Sequence, residues 1–252
     1  MIKEQFTRNL GIMSEDEINK LHNSTIVIAG CGCIGGFSAE LLARMGVGKL
    51  KLADPDVFDV SNINRQCAAT HLTVGQRKAE ALKAHLLTIN PDIEIECYYE
   101  GVTEENAATF IDGADYVIDA IDYFAFPEAV ALHRAARKNK LFITTAVALG
   151  FGTSVLTFSP DGMTIEEYTG IPEHTSIDDL KGKTFPASQY SQNLPEYATE
   201  EKITQWMENR SIPTISVGQA LGPGVLVSKL VLHLLDRQTP EFVPDYFQIS
   251  FE

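Results

Sequence analysis

Apolar runs alternate with amphipathic stretches along the first 150 positions. Thr25–Ala29 is an almost continuous apolar run, the pattern of a strand buried on both faces. Lys49–Ala53, Ile93–Tyr99, Tyr116–Ala120 and Leu141–Ala146 read as further strands. Helical period runs through Phe37–Gly46, through Gly75–Asn90 up to the stop at Pro91, and through Glu104–Ile111 and Phe126–Asn139. Ser14 followed by an acidic turn starts a short helix before the first strand. Strands alternating with helices predict an α/β fold with a doubly wound, mainly parallel, Rossmann-like sheet.

The pattern changes after Gly150. Gly152–Phe158 reads as an added antiparallel strand, and Asp245–Phe251 as a closing one. Between them, residues 160–213 are polar and turn-rich, with one helix expected around Glu200–Asn209. A stretch this long with so little regular structure is expected to act as a crossing loop or lid. An apolar helix is expected over Gly224–Leu235. The chain is read as one domain over 1–252. Its nucleotide-binding part spans about 24–150, its crossing loop about 160–213, and a C-terminal helix and strand fill 214–252.

Composition narrows the function. The formal charge of −14 disfavours nucleic acid as a partner, because phosphate neutralisation needs clustered Lys and Arg. It equally disfavours an anionic membrane surface. No stretch approaches the ~20 apolar residues needed to cross a bilayer, and the start, MIKEQFTRNLGI, has no apolar signal segment. Cys31, Cys33, Cys67 and Cys97 form no CxxC pair, so a structural zinc site is not expected and a reduced, cytoplasmic protein is.

The first chemical motif is Gly30-Cys31-Gly32-Cys33-Ile34-Gly35, placed directly after a strand and before a helix. Glycines let the backbone approach phosphate, and the helix start offers free N–H groups and a positive dipole end. Asp54 ends the next strand about twenty residues on, where a ribose hydroxyl partner is expected. This arrangement fits NAD as well as ATP. The segment DPDVFDVSNINRQ then adds amides and Arg65, and Lys78 follows at the next helix start. A surface ion pair for Arg65 and a solvated position for Lys78 are the plain alternatives. Two cations near one glycine loop suit a triphosphate, whose charge builds when its α-phosphate is attacked.

DPDVFDVSNINRQ, followed by VGQRKAEALKAHLLTINPDIEIE, resembles the activating-enzyme family of ThiF, MoeB and HesA. The resemblance runs from about Arg8 to Ala146 and resumes at SVGQALGPGVLVSKLVLHLL. It implies ATP-dependent adenylylation of a carboxylate, foremost the C-terminus of a small ubiquitin-like carrier protein or peptide. By the same resemblance Asp54 holds the ribose, Asn62, Arg65 and Lys78 contact the phosphates, and Asp122 holds Mg²⁺. Arg8 matches an arginine that family homodimers send into the neighbouring ATP site.

Three departures qualify the likeness. Asp122 is followed by Tyr123 rather than Asn, the paired CxxC motifs of several relatives are missing, and no cysteine follows Cys97. Cys67 and Cys97 read as buried structural residues, so the chemistry is expected to stop at adenylylation or to use a partner's nucleophile. His71, His85, His133 and His174 read as surface or partly buried, and Trp206 as a packing residue. Three other functions compete: a related dehydratase activating a carboxylate on tRNA, an NAD-dependent oxidoreductase, and a non-catalytic scaffold subunit. Charge counts against the first, Arg65 and Lys78 against the second, and the retained Asp54, Arg65, Lys78 and Asp122 against the third.

Overall fold

The computed structural model describes residues 2–184 and 194–251. Its seven-stranded sheet has the order β3-β2-β1-β4-β5-β6-β7. The first five in sequence, β1 (Thr25–Ala29), β2 (Lys49–Ala53), β3 (Glu94–Tyr98), β4 (Tyr116–Asp119) and β5 (Ile143–Leu149), run parallel. β6 (Gly152–Phe158) and β7 (Phe247–Ile249) are antiparallel additions at one edge.

Both sheet faces are covered, which explains the unbroken apolar strands. Ile26 and Ile28 point to one core, shared with α1 (Glu15–His22), α2 (Cys33–Met45), α3 (Lys78–Ile89) and α8 (Ser216–Leu234). Val27 and Ala29 point to the other, shared with α4 (Ala107–Phe110), α5 (Phe126–Lys138) and α6 (Ile165–Thr169). Side chains alternate across a strand, so each face must be apolar where each face is packed. Ser14 caps α1 in a reciprocal capping box with Glu17, satisfying two otherwise orphaned N–H groups. α7 (Glu200–Glu208) lies in the crossing segment and buries no residue. Part of that segment, 185–193, lies outside the described residues.

Three helix starts differ from the sequence expectation. α2 begins at Cys33, inside the glycine motif, because glycine's poor propensity is overridden where the helix packs against its own loop. α3 begins at Lys78 rather than Gly75, because 75–78 pair instead with 56–58: Phe58 N–H donates to Gln76 O, Gly75 N–H to Phe58 O and Lys78 N–H to Asp56 O. α8 begins at Ser216, eight residues before Gly224, and carries Pro223 in its interior. α8 is also long and apolar enough to span a bilayer, with a mean hydropathy of 1.3, which corrects the reading that no stretch comes close. Its buried stripe, including Leu226, Val227, Leu230 and Val231, packs into the core around α2, β5 and β6. Three short 3-10 turns among the described residues, Glu4–Asn9, Val60–Asn62 and Asp178–Leu180, carry no period and are not foreseen in the sequence.

Candidate nucleotide site

The strand order reverses between β1 and β4, and the crevice beyond their carboxyl ends is where open α/β sheets take ligands. Gly30 enters that crevice from β1 with φ +96°, a conformation that only glycine adopts without strain. A Cβ there would lie 2.1 Å from Ala120 O, so the loop seats directly on the exit of β4. Gly35 is equally tight: its Cβ would meet Gly30 O at 1.8 Å. Gly32 is the N-cap of α2 and uses no side-chain cap, so the N–H groups of the first turn face outward into the crevice.

Asp54 locks this loop. It is buried, and its two oxygens accept the Cys31 N–H at 2.6 Å and the Asp56 N–H at 2.9 Å. Each oxygen keeps a lone pair for a ribose hydroxyl. Burial pushes its carboxyl above the usual range, while Lys78 and the two N–H donors pull the other way.

Between β2 and α3 the chain makes one excursion, pinned by Phe58, which is fully buried. Asn62 is buried in a reciprocal turn with Asp59: its Oδ1 accepts the Asp59 N–H at 3.1 Å. Its own carbonyl accepts the N–H groups of Arg65 and Gln66. Arg65 donates to Ser61 O at 2.7 Å and to Asn64 Oδ1 at 2.9 Å. Arg65 also reaches the Cys33 thiol at the start of α2. Lys78, the first residue of α3, is buried, and its ammonium meets Asp56 Oδ2 at 2.8 Å. Arg65 and Lys78 both lie within electrostatic reach of Cys33 in the glycine loop.

Asp122 lies exposed just past β4, its Oδ1 accepting the Phe124 N–H at 2.9 Å. The crossing segment docks on the same loop: Arg210 donates to Phe124 O at 3.1 Å and stacks on the Phe124 ring at 4.9 Å. The described residues hold no cage of three or more metal-ligating side chains. Arg8 is exposed near the C-terminal end of α2, beside Phe6, whose ring packs on Gly46. The 13-residue α2 separates it from the glycine loop by roughly 20 Å at 1.5 Å per residue. Arg8 does not join the site of its own chain.

The sequence reading missed several neighbours. Gln66 is buried over Gly32, and its Oε1 has no hydrogen-bond partner. That oxygen is unpaired among the described residues, and the glutamine belongs to the Ser-Asn-x-Asn-Arg-Gln element. His133 is buried rather than superficial: its Nε2 meets Asp119 Oδ2 at 3.0 Å, at the end of β4. Cys67 and Cys97 are half-buried. Burial pushes the Cys67 thiol up to about 12 and raises Cys31, Cys33 and Cys97, with Arg65 the main opposing influence on Cys33. None is activated as a nucleophile.

A glycine loop at a helix start, set at the reversal point of this sheet, defines the doubly wound nucleotide-binding class. Within it the chain belongs to the ThiF family, whose family model matches residues 6–251. Over 123 residues it is 43% identical to the tRNA threonylcarbamoyladenosine dehydratase of Bacillus subtilis (strain 168), an alignment covering 48% of each chain. Over 143 residues it is 32% identical to the SAMP-activating enzyme E1 of Haloferax volcanii, covering 57% of this chain and 52% of that one. Its fold matches the crystal structure of E. coli tRNA N6-threonylcarbamoyladenosine dehydratase in complex with AMP, with a TM-score of 0.70 at 24% identity. That match covers 92% of this chain and 95% of the other. The chain spans about half the length of the curated relatives it matches.

Proposed function

We propose that the chain binds ATP·Mg²⁺ at the glycine loop and transfers its adenylyl group to a substrate carboxylate. A carboxylate oxygen forms a bond to the α-phosphorus, the bond to the bridging oxygen breaks, and pyrophosphate leaves with the electron pair. The product is an acyl-adenylate.

The observation that carries this reading is the convergence of Arg65 and buried Lys78 on the loop that Asp54 locks. Lys78 is held by Asp56, whose side chain is 64% exposed. A solvated carboxylate is a weak competitor for the ammonium, so an incoming polyphosphate takes it over. An NAD site needs only the ribose acid, whereas two cations match the charge of a triphosphate. Asn62 and Gln66 add polar contacts near the phosphates. Asp122 would hold magnesium, which would supply further charge neutralisation. The AMP complex of the E. coli dehydratase supports an adenine nucleotide here. Isothermal titration tests the choice: saturable ATP·Mg²⁺ binding with no NAD binding is expected, and NAD binding alone overturns it.

Two substrates fit. The SAMP-activating relative supports a carrier protein or peptide presenting a C-terminal carboxylate, the reading the acidic surface favours. The 43% identity to a tRNA-modifying dehydratase favours a carboxylate on tRNA instead. In both cases the protonated thiols argue that the chemistry ends at the adenylate or continues on another nucleophile. Free thiols and the acidic surface fit a cytoplasmic protein working away from membranes.

Arg8 supports a homodimer with composite sites, because it is too far from its own loop and is free to enter a neighbour's. Two-fold dimers are also the commonest oligomers. Arg8→Ala and Lys78→Ala variants are each expected to lose most activity alone. Mixed, they regain part of it, since some heterodimers carry one intact site. Mixtures that exchange subunits without regaining activity refute the trans arginine.

A further inference from the structure

A second cavity, of about 270 Å³, opens between the last turns of α5, the end of β6 and the chain from 159 to 174. It lies at the amino end of β5, whereas the glycine loop lies at the carboxyl end of β1. Leu141, Ile143, Phe158, Met163 and Ile165 give it apolar walls. Its volume equals on the order of nine water molecules at ~30 Å³ each, room for a body of about eight carbons.

The charged groups around it are unequally engaged. Arg134 is committed to the wall: it donates to Glu166 at 2.7 Å and to Thr175 O at 2.8 Å, neutralising the buried Glu166. Lys140 is paired with Asp161. Glu167 accepts the Thr164 N–H at 2.7 Å in the cap of α6. Arg137 spends one N–H on Gly162 O at 2.8 Å, and the Asp161 and Glu167 carboxylates lie within its electrostatic reach. Lys138 is exposed and has no ion-pair partner among the described residues. The last carbonyls of α5 are already satisfied by the N–H groups of Asn139, Lys140 and Leu141. Glu173 is the second lining carboxylate, so among the lining residues three cations, Arg134, Arg137 and Lys138, stand against two carboxylates.

We propose that this cavity binds a small amphiphilic carboxylate. The walls enclose the apolar body, and Arg137 and Lys138 hold the head, the arginine through its remaining N–H donors. His133 lines the same cavity, its ring edge-on to Phe158 at 4.7 Å. It also pairs with Asp119, whose other oxygen accepts the Ile121 N–H at 3.1 Å on the path to Asp122. Occupancy is therefore readable at the His133 ring.

The probe is octanoate, titrated into the full chain by calorimetry and by NMR of the histidine rings. Expected are saturable one-to-one binding, a shift of the His133 resonances, and no displacement by saturating ATP·Mg²⁺. Octan-1-ol, which has the body without the charge, binds at least about tenfold more weakly. Arg137→Ala with Lys138→Ala weakens octanoate by a similar factor, and Met163→Trp, which fills the hollow, removes it. Lys138→Glu, at an exposed position, replaces the double variant if that one does not fold. Octanoate that fails to saturate, is displaced by ATP, or binds these variants and octan-1-ol alike overturns the proposal. The nucleotide site is tested separately, by titration of ATP·Mg²⁺ into the chain without octanoate.

Discussion

Asp122→Ala lowers carboxylate-dependent pyrophosphate exchange by roughly 10²-fold or more, the scale of losing one major electrostatic contact to a developing charge. The side chain is exposed and makes one local hydrogen bond, to the Phe124 N–H, so its removal leaves the core untouched. The loss therefore falls on the rate while thermal stability stays within about 1 kcal/mol of wild type, as for most surface substitutions. Lys78→Ala has a comparable effect on exchange and also weakens ATP binding, because its ammonium is held by Asp56, next to Asp54, before chemistry. Full exchange by Asp122→Ala would take this residue out of the site. Loss of folding in the same variant would assign it a structural role instead.

Gly30→Ala removes ATP binding and destabilises the protein by more than about 3 kcal/mol, within the range reserved for strained backbone and overpacking. Two causes act together. The residue sits at φ +96°, and the added methyl falls 2.1 Å from Ala120 O, a backbone atom that cannot swing aside. Gly113 separates them. It also has positive φ, +71°, but no atom lies within 4 Å of its missing Cβ. Gly113→Ala should cost only the left-handed strain, about 1–2 kcal/mol, with ATP affinity unchanged. Chemical denaturation and calorimetry on the pair read both effects. Equal costs at the two positions would mean that the loop is not seated on the β4 exit as described.

The strands and the glycine loop were legible because their signals are local. Thr25–Ala29 is apolar throughout since both faces are packed, and Ser14 with Glu17 is a capping box readable from spacing alone. The cluster of Asp54, Arg65 and Lys78 was also legible, through motif spacing rather than periodicity. Misreadings arose where distant contacts override local preference. Pro223 normally ends a helix, yet α8 runs through it, with Gly218 and Gly222 on its N-terminal side packed closely against the sheet and α2. A Cβ on Gly218 would lie 2.2 Å from Gly150 O, and one on Gly222 would lie 3.0 Å from the Ile34 side chain. His133 read as surface or partly buried, and its full burial was not legible because its partner Asp119 sits on another element. The cavity beside it was invisible for the same reason: its walls come from α5, the end of β6 and the chain after it. Arg8 carries no periodic or spacing signal of its own, so its role was read only from resemblance.

The most direct test of the central claim is ATP–pyrophosphate exchange by the purified chain, with radiolabelled pyrophosphate and Mg²⁺. It is run against carriers ending in a free carboxylate, the same carriers amidated at the C-terminus, and tRNA bearing threonylcarbamoyladenosine. The account predicts label entering ATP only when a free carboxylate is supplied, with the responding partner naming the substrate class. Tight ATP binding without exchange for any carboxylate, or exchange that persists with amidated carriers, would contradict it.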